Sequence, residues 1–275
     1  MNRRLRMLNA AAMLLGGTLL LANGSASATG TANPWPMDRS PGLAALAASA
    51  EQGRYAFVFF WKENNEATQR MQGVLQSAMA KMKHRADAVN VCAADSNERA
   101  TVEAFGVDRA PMPLVVAVAP NGAITKAWPL QLRADQLPEG IVSQGTSACI
   151  KGLQDRKLVL LCVQNTSTGH NLASTQAAEG FRADARFAAA TEVITLDPAD
   201  PNESIFMRDL EVSPQTTDAV TILLAPPGQP IARFVGAVST DEIVAKVTAA
   251  QSGCCPGGQC GPEGCCPGGN CGPAK

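Results

Sequence analysis

Hydrophobic positions along the chain follow two rhythms. Short unbroken apolar runs of strand length alternate with polar stretches carrying apolar residues three and four apart. "LAALAASAEQG" (43–53) predicts a short helix, and "RYAFVFFW" (54–61) a strand buried on both faces. Residues 64–83 are polar, with Met71, Val74, Leu75, Met79 and Met82 at helical spacing. "DAVNVCAAD" (87–95) predicts the next strand, and "NERATVEAFG" (97–106) a helix closed by glycine. "PLVVAVAP", "NG" and "AITKAWP" (113–129) read as a hairpin, with Asn121 and Gly122 supplying the positive φ angles of its turn. "ADQLPEGIVSQG" (134–145) reads as a closing helix.

The order repeats. "RKLVLLCVQN" (156–165) is a buried strand, 171–187 a helical stretch, "ATEVITLD" (190–197) a strand and "PNESIFMRDL" (201–210) a helix. "AVTILLAPPGQPIARFVG" (219–236) is the hairpin, and "STDEIVAKVTAAQ" (239–251) the last helix, capped by Ser239 or Thr240. "APNG" (119–122) and "APPG" (225–228) occupy the same point of each unit, 106 residues apart. That period is a domain duplication, and each unit predicts an α/β fold with a mixed central sheet and helices on both faces.

Composition adds an address. Arg3, Arg4 and Arg6 precede an apolar stretch, "LNAAAMLLGGTLLLA", too short and interrupted for a comfortable membrane span, and "ASA" (26–28) is a small-residue cleavage site. A signal peptide over 1–28, cleaved after Ala28, is expected, giving a periplasmic or secreted product; an uncleaved anchor is the alternative reading. The remaining 247 residues suffice for two domains. The expected plan is a loosely ordered leader over 29–41, domains over 42–146 and 147–250, and a tail over 251–275. Without residues 1–28 the balance is 20 basic against 24 acidic residues, with no basic run, so nucleic acid is excluded as a partner. No later stretch reaches 18 consecutive apolar residues, so no membrane is expected after cleavage.

The halves resemble the thioredoxin fold, over roughly 42–250. "FVFFW" resembles the family's strand leading into the active-site turn, and "FGVDRAPMPLVVAVAPNG" its helix-end, cis-proline and hairpin segment. The resemblance implies a cis-proline, Pro113, with Pro111 as the alternative. It also implies two cysteines, two residues apart, at a helix start, where the helix N-terminus lowers a thiol pKa. Asn65 and Thr68 of "FWKENNEAT" stand at those positions, and Phe59 where active members carry a buried acid. Asn64 or Asn65 suits an N-cap and Glu66 a first helical turn. In the second half "TSTGHN" replaces the pair, and Ala219 stands where a proline would precede the strand. Both domains therefore lack the catalytic motif. Protein binding through a domain surface is what the resemblance implies for such domains.

Cys92 and Cys162 lie in strands as small hydrophobes. Cys149, in the connection "GTSACIKG", could pair with Cys162 in an oxidising compartment. His84 sits near a helix end, where a cation complements the dipole; His170 lies in the degenerate loop and could join a metal site.

The remaining six of nine cysteines fall in the last 22 residues, "CCPGGQCGPEGCCPGGNCGPAK". Cys254, Cys255 and Cys260 recur as Cys265, Cys266 and Cys271. No large apolar residue follows Val247, so the tail cannot build a core and is expected to be disordered unless cross-linked or metal-bound. Three functions remain open. The thiolates could bind a soft or borderline metal, Cu(I) or zinc, on a non-catalytic scaffold. They could form disulfides across the copies, for example Cys255 with Cys266, making a stapled structural tail. They could serve a thiol–disulfide oxidoreductase as a redox arm, although nothing nearby lowers their pKa.

Overall fold

The computed structural model describes residues 33–36 and 39–252; the expected signal peptide and cysteine tail lie outside them. In the first half, α1 (Pro41–Glu51), β1 (Tyr55–Trp61), α2 (Glu66–Met82), β2 (Ala86–Cys92), α3 (Arg99–Phe105), β3 (Leu114–Val118) and β4 (Ile124–Pro129) follow one another. β1 runs parallel to β2 and antiparallel to β3, and β3 pairs antiparallel with β4, giving the order β2-β1-β3-β4. The second half comprises α4 (Gln144–Gln154), β5 (Leu158–Val163), α5 (Asn171–Ala183), β6 (Thr191–Leu196), α6 (Ser204–Asp209), β7 (Val220–Ala225), β8 (Gln229–Val235) and α7 (Thr240–Ser252). Its sheet has the matching order, β6-β5-β7-β8, with the same strand directions.

The apolar runs are explained by cores on both faces of each sheet. On one side of β1, Tyr55, Phe57 and Phe59 pack with Met71, Leu75 and Met79 of α2; on the other, Ala56, Val58 and Phe60 pack with Leu43, Leu46, Val102 and Phe105. Each buried phenylalanine contributes about 1.5–3 kcal/mol over its exposed state. In β5 the same alternation sends Val159, Leu161 and Val163 toward α4 and α6, and Leu160 and Cys162 toward α5 and α7.

Four expectations are corrected. The stretch 134–145 is not one helix: a 3-10 helix covers Ala134–Gly140, and α4 begins at Gln144. Pro138 removes a backbone donor inside the first segment, while the Ser143 side chain accepts from Thr146 N and starts the second. The "GTSACIKG" connection therefore lies within α4, and a boundary after residue 146 would cut that helix. The leader is docked at 33–36: Trp35 stacks on Phe105 with centroids 5.3 Å apart, and Asn33 Nδ2 donates to Ala47 O at 3.1 Å. In the first hairpin turn only Gly122 takes positive φ, 82°; Asn121 instead accepts from Ala123 N through its side chain.

α4 also joins the halves. It packs on β5 and β6 and reaches back to β4, where Gln154 accepts from Ile124 N at 3.0 Å and donates to Ile124 O at 2.8 Å. Tyr55 Oη donates to Val142 O at 2.7 Å just before this helix.

Candidate functional site

In each half the loop leaving the first strand meets the loop entering the third, where a thiol pair would act if present. In the first half Asn65 is the N-cap of α2, its backbone extended and its Oδ1 accepting from Thr68 N at 3.1 Å. Thr68 is buried, and its hydroxyl donates to Glu63 O at 2.7 Å. Asn64 accepts from Gln69, and Glu66 pairs with Arg70 at 2.7 Å one turn on. Lys62 Nζ donates to Asp108 O at 2.6 Å. Phe59 is sealed in the core. Polar groups across this turn thus stabilise the turn and the helix start, and neither Asn65 nor Thr68 can form a thiolate.

Opposite this turn the Met112–Pro113 bond is cis, and Pro113 O accepts from Leu130 N at 2.7 Å. Leu130 is half exposed and left-handed, with φ 65°. The second half repeats that contact between Ala219 O and Gly236 N at 2.8 Å, with Gly236 at φ 85°.

The second loop is bound more tightly. Asn165 accepts from Ser167 N and donates to Asp197 Oδ1 at 2.8 Å, while its carbonyl receives Thr168 Oγ1 and Asn171 Nδ2. The Asn165 hydrogen bond holds the Asp197 carboxyl below its ordinary range. Gly169 N donates to Thr217 O, and Ala219 N to Gly169 O, stitching the loop to the approach of β7. His170 begins α5 with φ 63° and no capping side-chain bond. Its Nδ1 lies 2.9 Å from Asp218 Oδ1.

Three cysteines fall within the described residues, all as free thiols. Cys92 is half-buried at the end of β2, opposite Trp61. Burial pushes the Cys149 thiol up to about 12, with the Glu203 carboxylate adding to the shift. Burial also raises Cys162, against a lowering hydrogen bond from Ser174. The Cys149–Cys162 bridge is corrected: Cys149 belongs to the core layer on the α4 face, Cys162 to the layer on the α5 and α7 face, and the sheet lies between them. His84 is exposed beyond the end of α2. The metal candidates Cys254, Cys255, Cys260, Cys265, Cys266 and Cys271 lie outside the described residues. Among the described residues no group of three or more His, Cys, Asp or Glu side chains could hold a metal, and no helix is long and apolar enough to cross a membrane.

Two buried carboxylates escaped the sequence reading. Glu98 accepts from Gly42 N at 3.0 Å and from Thr101 Oγ1 at 2.8 Å, and Glu203 accepts from Thr146 Oγ1 at 2.9 Å. Each closes the start of its own unit's first helix. Gly42 and Gly145 admit them: a Cβ would lie 2.7 Å from Glu98 Oε2 and 2.5 Å from Glu203 Oε1. The available signal was "DSNE" (95–98) against "DPNE" (200–203), 105 residues apart.

The strand order, strand directions and paired loops are now fixed for both units. Each half is an α/β unit on a four-stranded mixed sheet of the same order, the fold class expected from the resemblance. No family model matches the chain, and no curated protein matches it. Among solved structures, the chain is similar to the zinc-bound form of human ERp44, at 12% identity and a TM-score of 0.31 over 77% of this chain. It spans 59% of that protein's length. It is also similar to the N-terminal domain of alkylhydroperoxide reductase AhpF from Enterococcus faecalis (12% identity, TM-score 0.27, 74% of this chain and 95% of that one). The first two thioredoxin domains of Saccharomyces cerevisiae Eps1p give 11% identity and a TM-score of 0.27, over 77% of this chain and 97% of that one.

Proposed function

We propose that the protein is an exported, non-catalytic tandem thioredoxin-like scaffold whose C-terminal cysteines bind a soft or borderline metal. The observation that carries this reading is the state of the two helix starts. Asn65 and Thr68 stabilise one turn, and the second is a web around Asn165 with no thiol in it. The two buried cysteines have thiols raised by burial, the opposite of an activated nucleophile. Thiol chemistry then falls to the six cysteines of 254–271, whose sulfur-rich set suits Cu(I) or zinc. The signal-like start of the chain supports delivery to the periplasm or beyond, and the domain surfaces are where a protein partner would dock.

Anaerobic titration of the reduced protein with Cu(I) and with Zn(II), beside a chain ending at Gln251, tests this. Full-length protein should take up metal that the shorter chain does not. Equal uptake overturns the reading. Disulfide-reductase activity that disappears when the six tail cysteines become serine would favour the redox arm instead.

A further inference from the structure

We propose that the turn closing α2 docks an acidic segment of a protein partner through Lys81, Lys83, His84 and Arg85. The inference deepens the partner-docking part of the reading above, on which it rests, and makes no use of the metal or of residues past 252.

The sequence concentrates positive charge at this turn. From Ala67 to Ala86 no acidic residue occurs, whereas Arg70, Lys81, Lys83 and Arg85 do. Residues 42–143 as a whole are balanced, with ten basic and ten acidic side chains. Arg70 is matched by Glu66, one helical turn back. Lys81, Lys83, His84 and Arg85 are all exposed. Among the described residues none of these four forms an ion pair.

The fold does not ask for so many cations here. A helix C-terminus favours a positive charge in its last turn, and Lys81 supplies it for α2. The carbonyls around the turn are already taken. Arg54 Nη2 donates to Lys83 O and to Ala86 O, and Arg85 N donates to Met82 O. Lys83 and Arg85 therefore add like charges that repel one another. The second unit shows the alternative. Around the end of α5, Arg182 Nε donates to Glu179 Oε2 at 2.7 Å and Arg186 Nη2 to Asp184 Oδ2 at 2.6 Å. There each cation has a carboxylate from its own chain. At the corresponding turn of the first unit the charge is left for a carboxylate from outside.

The surface is braced before any partner arrives. Arg54 pairs with Asp87 at 2.7 Å, and Ser49 Oγ of α1 donates to Asp87 Oδ2 at 3.0 Å. Tyr55 N donates to Arg85 O at 3.0 Å, fixing the turn against the start of β1. A fixed backbone lowers the ordering cost of binding. The turn lies where β1 and β2 begin, at the other end of β1 from the Asn65 turn.

Ammonium groups and an arginine fork make charge-assisted hydrogen bonds with carboxylates and with phosphates. Two observations select an acidic protein segment. The exposed large apolar side chains among the described residues are Leu130, Leu172, Ile205 and Val235, none of them in this turn, so nothing here enters a bilayer. Tyr55, the aromatic residue that opens β1 beside the turn, is buried and offers no face for stacking bases.

A fluorescein-labelled octaglutamate peptide is the probe, read by anisotropy against reduced, metal-free, full-length protein. Lys81→Gln, Lys83→Gln and Arg85→Gln together remove the patch. Arg99→Gln, Arg133→Gln and Arg208→Gln together remove the same charge from exposed arginines elsewhere. Wild type should bind the peptide at about 0.05 M salt and lose about tenfold in affinity by about 0.2 M. The patch variant should bind at least about tenfold more weakly and the control variant within about twofold of wild type. Lys83→Gln alone, which leaves every backbone contact of the turn in place, should weaken binding about twofold to threefold. No binding by wild type, or equal weakening in the patch and control variants, overturns the inference. Tighter binding of phosphatidylglycerol vesicles or of a single-stranded oligonucleotide than of the peptide also overturns it. The Cu(I) and Zn(II) titrations above are read separately, so the metal reading stands or falls without this result.

Discussion

Glu98 sits at a crossing of three short contacts: Gly42 N, the Thr101 hydroxyl, and through that hydroxyl Ser40 Oγ, 2.6 Å from Thr101 Oγ1. Removing the carboxylate leaves the buried Gly42 N–H without its acceptor and the Thr101 hydroxyl with Ser40 Oγ as its partner, which costs about 1–3 kcal/mol. Glu98→Ala should lower urea stability by that amount, with Gly42→Ala costing a similar amount through overpacking against the same oxygen. Cys149 provides a pH signature. Its folded thiol titrates near 12 against an ordinary value of 9, so its contribution is complete below pH 9. Between pH 9 and about 12 the unfolded chain releases a proton that the folded chain keeps. Stability should fall by about 1.4 kcal/mol per pH unit from this group. Chemical denaturation across that window, compared with Cys149→Ala, isolates the slope, because Cys162 and Tyr55 contribute equally to both proteins. In alkylation of the reduced, folded chain, Cys149 and Cys162 should be the last labelled.

At the scale of elements, the link between the units is α4. Gln154→Ala removes both hydrogen bonds to Ile124 and should cost about 1–2 kcal/mol, read most directly as faster amide exchange at Ile124. This helix also shows where sequence reading succeeds and fails. The strands β1 and β5 were legible because burial on both faces leaves an uninterrupted apolar run that no helix periodicity imitates. α2 was legible because its buried residues recur at helical spacing above a polar face. α4 was hidden because its buried side includes Ser147, Cys149 and Gly152, small residues that do not register as an apolar stripe. Asn65 could be read as a cap from its position alone. Glu98 and Glu203 could not, since an isolated glutamate normally marks solvent, and only the close glycines reveal otherwise. The opposed layers of Cys149 and Cys162 required the pleat, which decides facing residue by residue.

For the whole molecule, the same framework occurs twice while the two loop regions differ. The first is a plain helix cap beside Pro113; the second carries an imidazole and carboxylate in place of any thiol. The division of labour proposed here predicts that deleting 252–275 leaves cooperative unfolding of the domains nearly unchanged, because Val247 is the last residue of the core clusters. A thermal midpoint shifted by less than about 2 °C in metal-free buffer is the expected result.

The carboxamide of Gln154 lies against Ile124 much as a peptide unit of a fifth strand would. β4 is the margin of its sheet, and such margins invite strands from neighbouring molecules. With one rung already occupied from within the same chain, an incoming strand meets an interrupted ladder, so crowded solutions of this protein should resist fibre growth from that side until the glutamine is removed.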